Sequence, residues 1–116
     1  MIHEEADWCF RGQKKGFRPT TVTAACVYHK SQGTLKDFPA MTHYYSVRNF
    51  LYLAKRNASF LEKIITAIGL FLHALRNLFW LVFGSAKDKV RARVFFLAVN
   101  DFFTGRMGKT AREFKA

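Results

Sequence analysis

A chain of 116 residues has room for one small domain at most. Half of its residues are hydrophobic, which excludes a disordered acidic or basic tail. A net charge of +11, a pI near 10.1 and 16% aromatic residues, 13 of them Phe, leave two usual partners: nucleic acid or an anionic membrane surface.

The chain begins with an acidic stretch, Met1 to Asp7, that lacks the apolar core of a signal peptide. An acidic cluster starts at Glu4 with nothing ahead of it to form a strand or turn, which suggests a truncated frame. Glu4 to Lys15 reads as a short helix, with acids first and bases last, and Gly16 ends it. Thr20 to Tyr28 (TTVTAACVY) is β-rich and reads as a buried strand, and Ser31 to Pro39 as a loop. Cys9 and Cys26 have no metal-ligand spacing and sit among apolar neighbours. Buried free thiols are the expectation, and spacing alone leaves a disulfide open.

Composition changes near Met41. Both prolines, Pro19 and Pro39, precede it, and residues 41–116 read as helices. Tyr44, Val47, Leu51 and Ala54 recur at helical spacing, which predicts an amphipathic helix over about Thr42 to Lys55, broken by Asn57. Ser59 and Glu62 form a capping box that starts a helix running to about Phe83, with Gly84 as its C-cap. Ser85, with Asp88 three residues on, starts a last helix that runs to about Phe103, and Gly105 and Gly108 end the order.

The helix from Ser59 to Phe83 is largely apolar, and Glu62, Thr66, His73, Arg76 and Asn77 share one narrow stripe of it. It is long enough to span a bilayer, which takes about 20 apolar residues. Three readings stand: a helix lying in the membrane interface, which is favoured; a buried core or dimer helix; and a true span. Lys87, Lys89, Arg91 and Arg93 follow directly, and each basic residue near an anionic leaflet contributes roughly 1 kcal/mol. Val94, Phe95, Phe96, Leu97, Val99, Phe102 and Phe103 then put apolar bulk beside that charge. The competing reading of these residues is a solvated basic face over a protein core.

Several strings resemble family 2 glycosyltransferases, in particular rhamnosyltransferase-like members. Glu4-Glu5-Ala6-Asp7-Trp8, with Arg11 following, resembles the family's acidic motif. Lys15-Gly16-Phe17-Arg18, Val27-Tyr28-His29-Lys30, Tyr44-Tyr45 and Arg48-Asn49 follow in the family's order, and Asp101 with Gly105-Arg106-Met107-Gly108-Lys109 resembles its closing stretch. The resemblance covers nearly the whole chain. It implies an α+β, mostly α fragment: a short helix and strand from the end of a GT-A domain, then about three C-terminal amphipathic helices. Residues 1–40 would be the acceptor-side end of the catalytic domain, and 41–116 a membrane-associating helical region.

In such an inverting transferase a carboxylate takes the proton of the attacking acceptor hydroxyl. The resemblance assigns that role to Glu5, with Glu4 and Asp7 shaping the site and holding acceptor hydroxyls. An adjacent carboxylate also raises the pKa of its neighbour. Trp8 would stack on a sugar or simply pack. Arg11 is the other candidate substrate contact, although an ion pair with Glu4 or Asp7 suits it better than a phosphate. His29 would help hold a divalent Mn or Mg on the donor diphosphate. The family's nucleotide-binding half and its D-x-D motif are not in this sequence. The expectation is therefore a chain that transfers no sugar alone, from a parent enzyme using a nucleotide-sugar donor and a glycan or lipid-linked acceptor. That parent would sit peripherally on the cytoplasmic face of the cell membrane and build cell-surface polysaccharide. The alternative is a small basic membrane-surface protein without catalysis. Nucleic acid is not an expected partner, because long apolar helices interrupt the basic residues and no recognition motif is present.

Overall fold

The computed structural model describes residues 3–28 and 38–110, and within them four helices: α1 (Glu4–Lys14), α2 (Pro39–Asn57), α3 (Phe60–Phe83) and α4 (Ala86–Phe103). Local chemistry sets most of their ends. In α1 the acids Glu4, Glu5 and Asp7 occupy the first turn, and Arg11 and Lys14 the last, complementing the helix dipole. Gly16 follows at φ +86°, a left-handed conformation that suits glycine. α2 starts at Pro39, whose fixed φ fits a first helical position.

Both expected capping boxes are present. The Ser59 hydroxyl accepts from the Glu62 amide, while the Glu62 carboxylate accepts from the Ser59 amide at 2.7 Å. Ser85 and Asp88 repeat the arrangement at the start of α4. Gly84 ends α3 with ordinary backbone angles, φ −78° and ψ 164°. Its necessity is spatial: a Cβ there would lie 2.5 Å from the Trp80 carbonyl oxygen and 2.8 Å from the Asp88 Cβ. This tight link folds α3 and α4 into a hairpin, in which His73 meets Phe95 with ring centroids 6.4 Å apart.

α4 is the central helix and packs on both α2 and α3. Tyr44, Val94 and Ala98 form the core cluster, with Val47, Val90 and Leu97 packed around it. Tyr44 and Leu51 are buried, as the helical spacing in α2 predicts.

The strand expected over Thr20 to Tyr28 is not formed, and this corrects the α+β reading. The segment is irregular, with a turn in which the Ala25 amide donates to the Val22 carbonyl at 3.2 Å. Val27 and Tyr28 are 83% and 97% exposed. A β-rich composition makes a strand only if a partner supplies a hydrogen-bond ladder, and no described residue does so. The described protein is helical. The thiol expectation is also corrected: Cys26 is exposed and Cys9 half-buried, and both are free.

Candidate functional site

The first face of the site comes from α1. Glu4, Asp7 and Arg11 follow one another at steps of three and four, so they share one side of the helix. That side lies over α2. The Asp7 carboxylate accepts from Arg11 Nε at 2.9 Å and from Asn57 Nδ2 at 3.4 Å. Lys14 Nζ donates to Asn57 Oδ1 at 3.0 Å and to the Arg56 carbonyl at 3.3 Å. Asn57 is thus both the last residue of α2 and the clamp that holds α1 against it.

The second face comes from the end of α4. Gly105, at φ +71°, closes the helix: its amide donates to the Phe102 carbonyl, and the Arg106 amide reaches back to the Asp101 carbonyl at 2.8 Å. This is a Schellman cap, and it turns the chain back along α2. The Arg106 carbonyl then accepts from Arg48 Nη1 at 3.3 Å, and the Thr110 amide donates to the Tyr45 hydroxyl at 3.0 Å.

Arg48 holds these pieces together. It is 3% exposed, on the otherwise apolar face of α2. Its Nη1 also donates to the Tyr44 hydroxyl at 3.3 Å, and that hydroxyl donates to Asp101 Oδ2 at 2.7 Å. Asp101 is 2% exposed. Buried opposite charges are therefore linked through a buried phenol. Burial, reinforced by the bond to Asp101, pushes the Tyr44 pKa above its ordinary value and keeps the phenol a donor. The guanidinium lies 5.2 Å from the Tyr44 ring centre and 5.0 Å from that of Tyr45, within cation–π range.

Between these faces lies a cleft of about 490 Å³. Glu4, Asp7 and Arg11 line one wall, Tyr45, Asn49 and Tyr52 the floor, and Met107 to Lys109 the other wall. It has carboxylates, amide and phenol groups and aromatic faces, which are the groups that hold a polyol or sugar. Of the candidates read from sequence, Glu4, Asp7 and Arg11 meet here. Glu5 is exposed on α1 and Trp8 is 69% exposed, and neither lines the cleft. His29 lies outside the described residues. Among the described residues no group of three or more His, Cys, Asp or Glu is arranged to hold a metal.

The four basic residues of α4 do not form one patch. Successive steps of two residues turn about 200° on a helix, so Lys87 and Arg91 lie on one side and Lys89 and Arg93 on the other. Val94 and Phe95 are buried in the core, while Phe103 is 71% exposed.

The Tyr44–Arg48–Asp101 network was not read from the sequence. Its signal is there: Arg48 interrupts the apolar stripe of α2, and Asp101 continues the stripe of Val94 and Ala98. A charge inside an apolar stripe needs polar partners, and the Tyr44 hydroxyl supplies one to each of these two. No family model, curated protein or solved structure matches the chain.

Proposed function

We propose that this chain is the acceptor-side and C-terminal portion of a family 2-type glycosyltransferase, and that its cleft holds the sugar acceptor. One observation carries the reading. Three segments that resemble the family (the acidic motif in α1, Tyr44-Tyr45 with Arg48-Asn49 in α2, and the glycine-rich stretch after α4) lie far apart in sequence and converge on one cleft. Chance matches to short motifs have no reason to meet in space.

In this reading Glu4 and Asp7 accept hydrogen bonds from acceptor hydroxyls, while Tyr45 and Tyr52 offer faces to a sugar ring. Arg11 and Asn57 keep the Asp7 carboxylate oriented. Glu5 and Trp8, on the outer side of α1, face the donor-binding half that a complete transferase requires. Glu5 would there take the proton of the attacking hydroxyl as the acceptor oxygen bonds to the anomeric carbon and the nucleoside diphosphate leaves. A divalent cation on that diphosphate belongs to the same complete site. These 116 residues contain no D-x-D, so transfer by this chain alone is not expected.

The test is a titration followed by NMR. A polyprenyl-diphosphate-linked glycan should shift the Tyr45 and Tyr52 ring resonances and the Lys109 amide saturably. A Tyr45→Ala, Tyr52→Ala double variant should abolish binding, and a nucleotide sugar alone should move nothing. A folded protein whose cleft resonances ignore both glycan and lipid-linked glycan would sink the reading.

A further inference from the structure

α3 keeps its broadest apolar side outside. Its buried residue is Asn77, 2% exposed, whose Nδ2 donates to the His73 carbonyl at 2.7 Å while its Oδ1 has no hydrogen-bond partner among the described residues. α3 rests on the bundle through a narrow side centred on Asn77, with Thr66, Leu70, Ala74 and Leu81 half-buried beside it, while Glu62, His73 and Arg76 stay exposed. His43 of α2 stands close enough to feel the charges of Arg76, Arg91 and His73, which ties this side to all three helices.

The opposite side of α3 is apolar and uncovered. At 100° per residue, a sector about 140° wide, from Phe60 and Leu78 round to Ile65 and Phe83, contains no polar side chain. Ile65, Ile68, Leu72 and Phe79 along it are 60%, 56%, 58% and 58% exposed. An amphipathic helix of a water-soluble domain turns such a stripe to its core. Here the stripe runs the full 24 residues, about 36 Å, and faces outward. Uncovered apolar surface of this extent marks an interaction site.

We infer that α3 lies in the plane of an anionic membrane surface, with this sector immersed among the acyl chains and the rest of the protein in the aqueous phase. The inference does not depend on what the cleft binds. Two observations select the occupant. The chain carries +11, and exposed cations flank the apolar sector: Arg76 borders it, held back over Trp80 at 4.8 Å and bonded to His73 Nδ1 at 2.8 Å, and Lys63 stands on the other flank. This complements anionic headgroups and opposes the approach of a second copy with the same charge. The hairpin excludes a span. α4 returns beside the C-terminal half of α3, carrying Lys87, Asp88, Lys89, Arg91 and Arg93, and a spanning α3 would take these charges into hydrocarbon. An in-plane helix leaves them in water.

The experiment is vesicle flotation of the full chain. Vesicles of phosphatidylcholine with phosphatidylglycerol should carry the protein up, phosphatidylcholine alone much less, and high salt should weaken the binding. An Ile68→Gln, Phe79→Gln double variant keeps the net charge and should lower partitioning at least about ten-fold, with unchanged helicity by circular dichroism. Depth is read with single-tryptophan variants Phe60→Trp, Phe71→Trp and Phe83→Trp, in a Trp8→Phe, Trp80→Phe background, quenched by brominated lipids. An in-plane helix places all three at one shallow depth. A deep Phe71→Trp between two shallow ends would overturn the in-plane geometry in favour of a span. A dimer in sedimentation that persists with vesicles and does not float would assign the face to a second copy and overturn the proposal.

Discussion

α2 and α3 pack against the same helix, α4, and α2 buries far more of its apolar side in doing so than α3 does. α2 buries Tyr44 and Leu51 with one charge, Arg48, whose hydrogen bonds run to Tyr44, Asn49 and the Arg106 carbonyl. α3 buries a single residue, the polar Asn77, and leaves its apolar stripe outside. Both are amphipathic by sequence. The difference teaches that an amphipathic pattern says which residues share a side, and that the environment of each side decides which one the protein keeps for itself. α2 completes a core around a buried ionic network, whereas α3 presents a surface for another phase.

The sharpest test of this contrast is Arg48→Met. It removes the hydrogen bonds that the guanidinium donates to the Tyr44 hydroxyl and the Arg106 carbonyl, and buried hydrogen bonds from a charged group contribute about 1.5–3 kcal/mol each. Urea denaturation should show a loss of that size, and a change below about 1 kcal/mol would mean that the network does not hold α2 to α4. Next comes Gly84→Ala. The added Cβ meets the Trp80 carbonyl, which is backbone and cannot swing aside, so thermal unfolding should report a loss of about 1–3 kcal/mol. That variant loosens the α3–α4 hairpin and leaves the α2–α4 contact unchanged.

A smaller effect is expected with pH. Burial, then the charges of Arg91, Arg76 and His73, hold the His43 pKa below its ordinary 6.5. Between the folded value and 6.5 the unfolded chain binds more protons than the folded one, so stability falls as pH drops through that window. Denaturation curves over a pH series should show the fall in the parent and a flatter profile in His43→Gln. The smallest effect is the most telling. Ile68→Gln and Phe79→Gln remove large apolar side chains, yet each should change solution stability by no more than about 0.5 kcal/mol. A loss of several kcal/mol would mean that the outer side of α3 is covered in the folded protein and would end the contrast with α2.

Helix boundaries were legible because their causes are local. Ser59 with Glu62, Ser85 with Asp88, and Gly84, Gly16 and Gly105 act within a few residues of themselves, and the helices start and stop beside them. The acidic side of the cleft was legible in part: Glu4, Asp7 and Arg11 line it, while Glu5 and Trp8 point elsewhere. The strand at Thr20 to Tyr28 was misread because a strand is completed by a partner, and composition carries no record of whether one exists.

By itself, then, the sequence determined where the helices lie, which residues share each side of them, and that the chain is basic and aromatic. Only the tertiary structure decided that the broad apolar side of α3 stays outside, that the Tyr44 hydroxyl joins Arg48 to Asp101, and that three distant segments enclose one cleft. Capping and periodicity are set by neighbours within a turn or two. Burial, charge pairing and clefts depend on which helix comes to lie beside which, and that is settled by packing the whole chain at once.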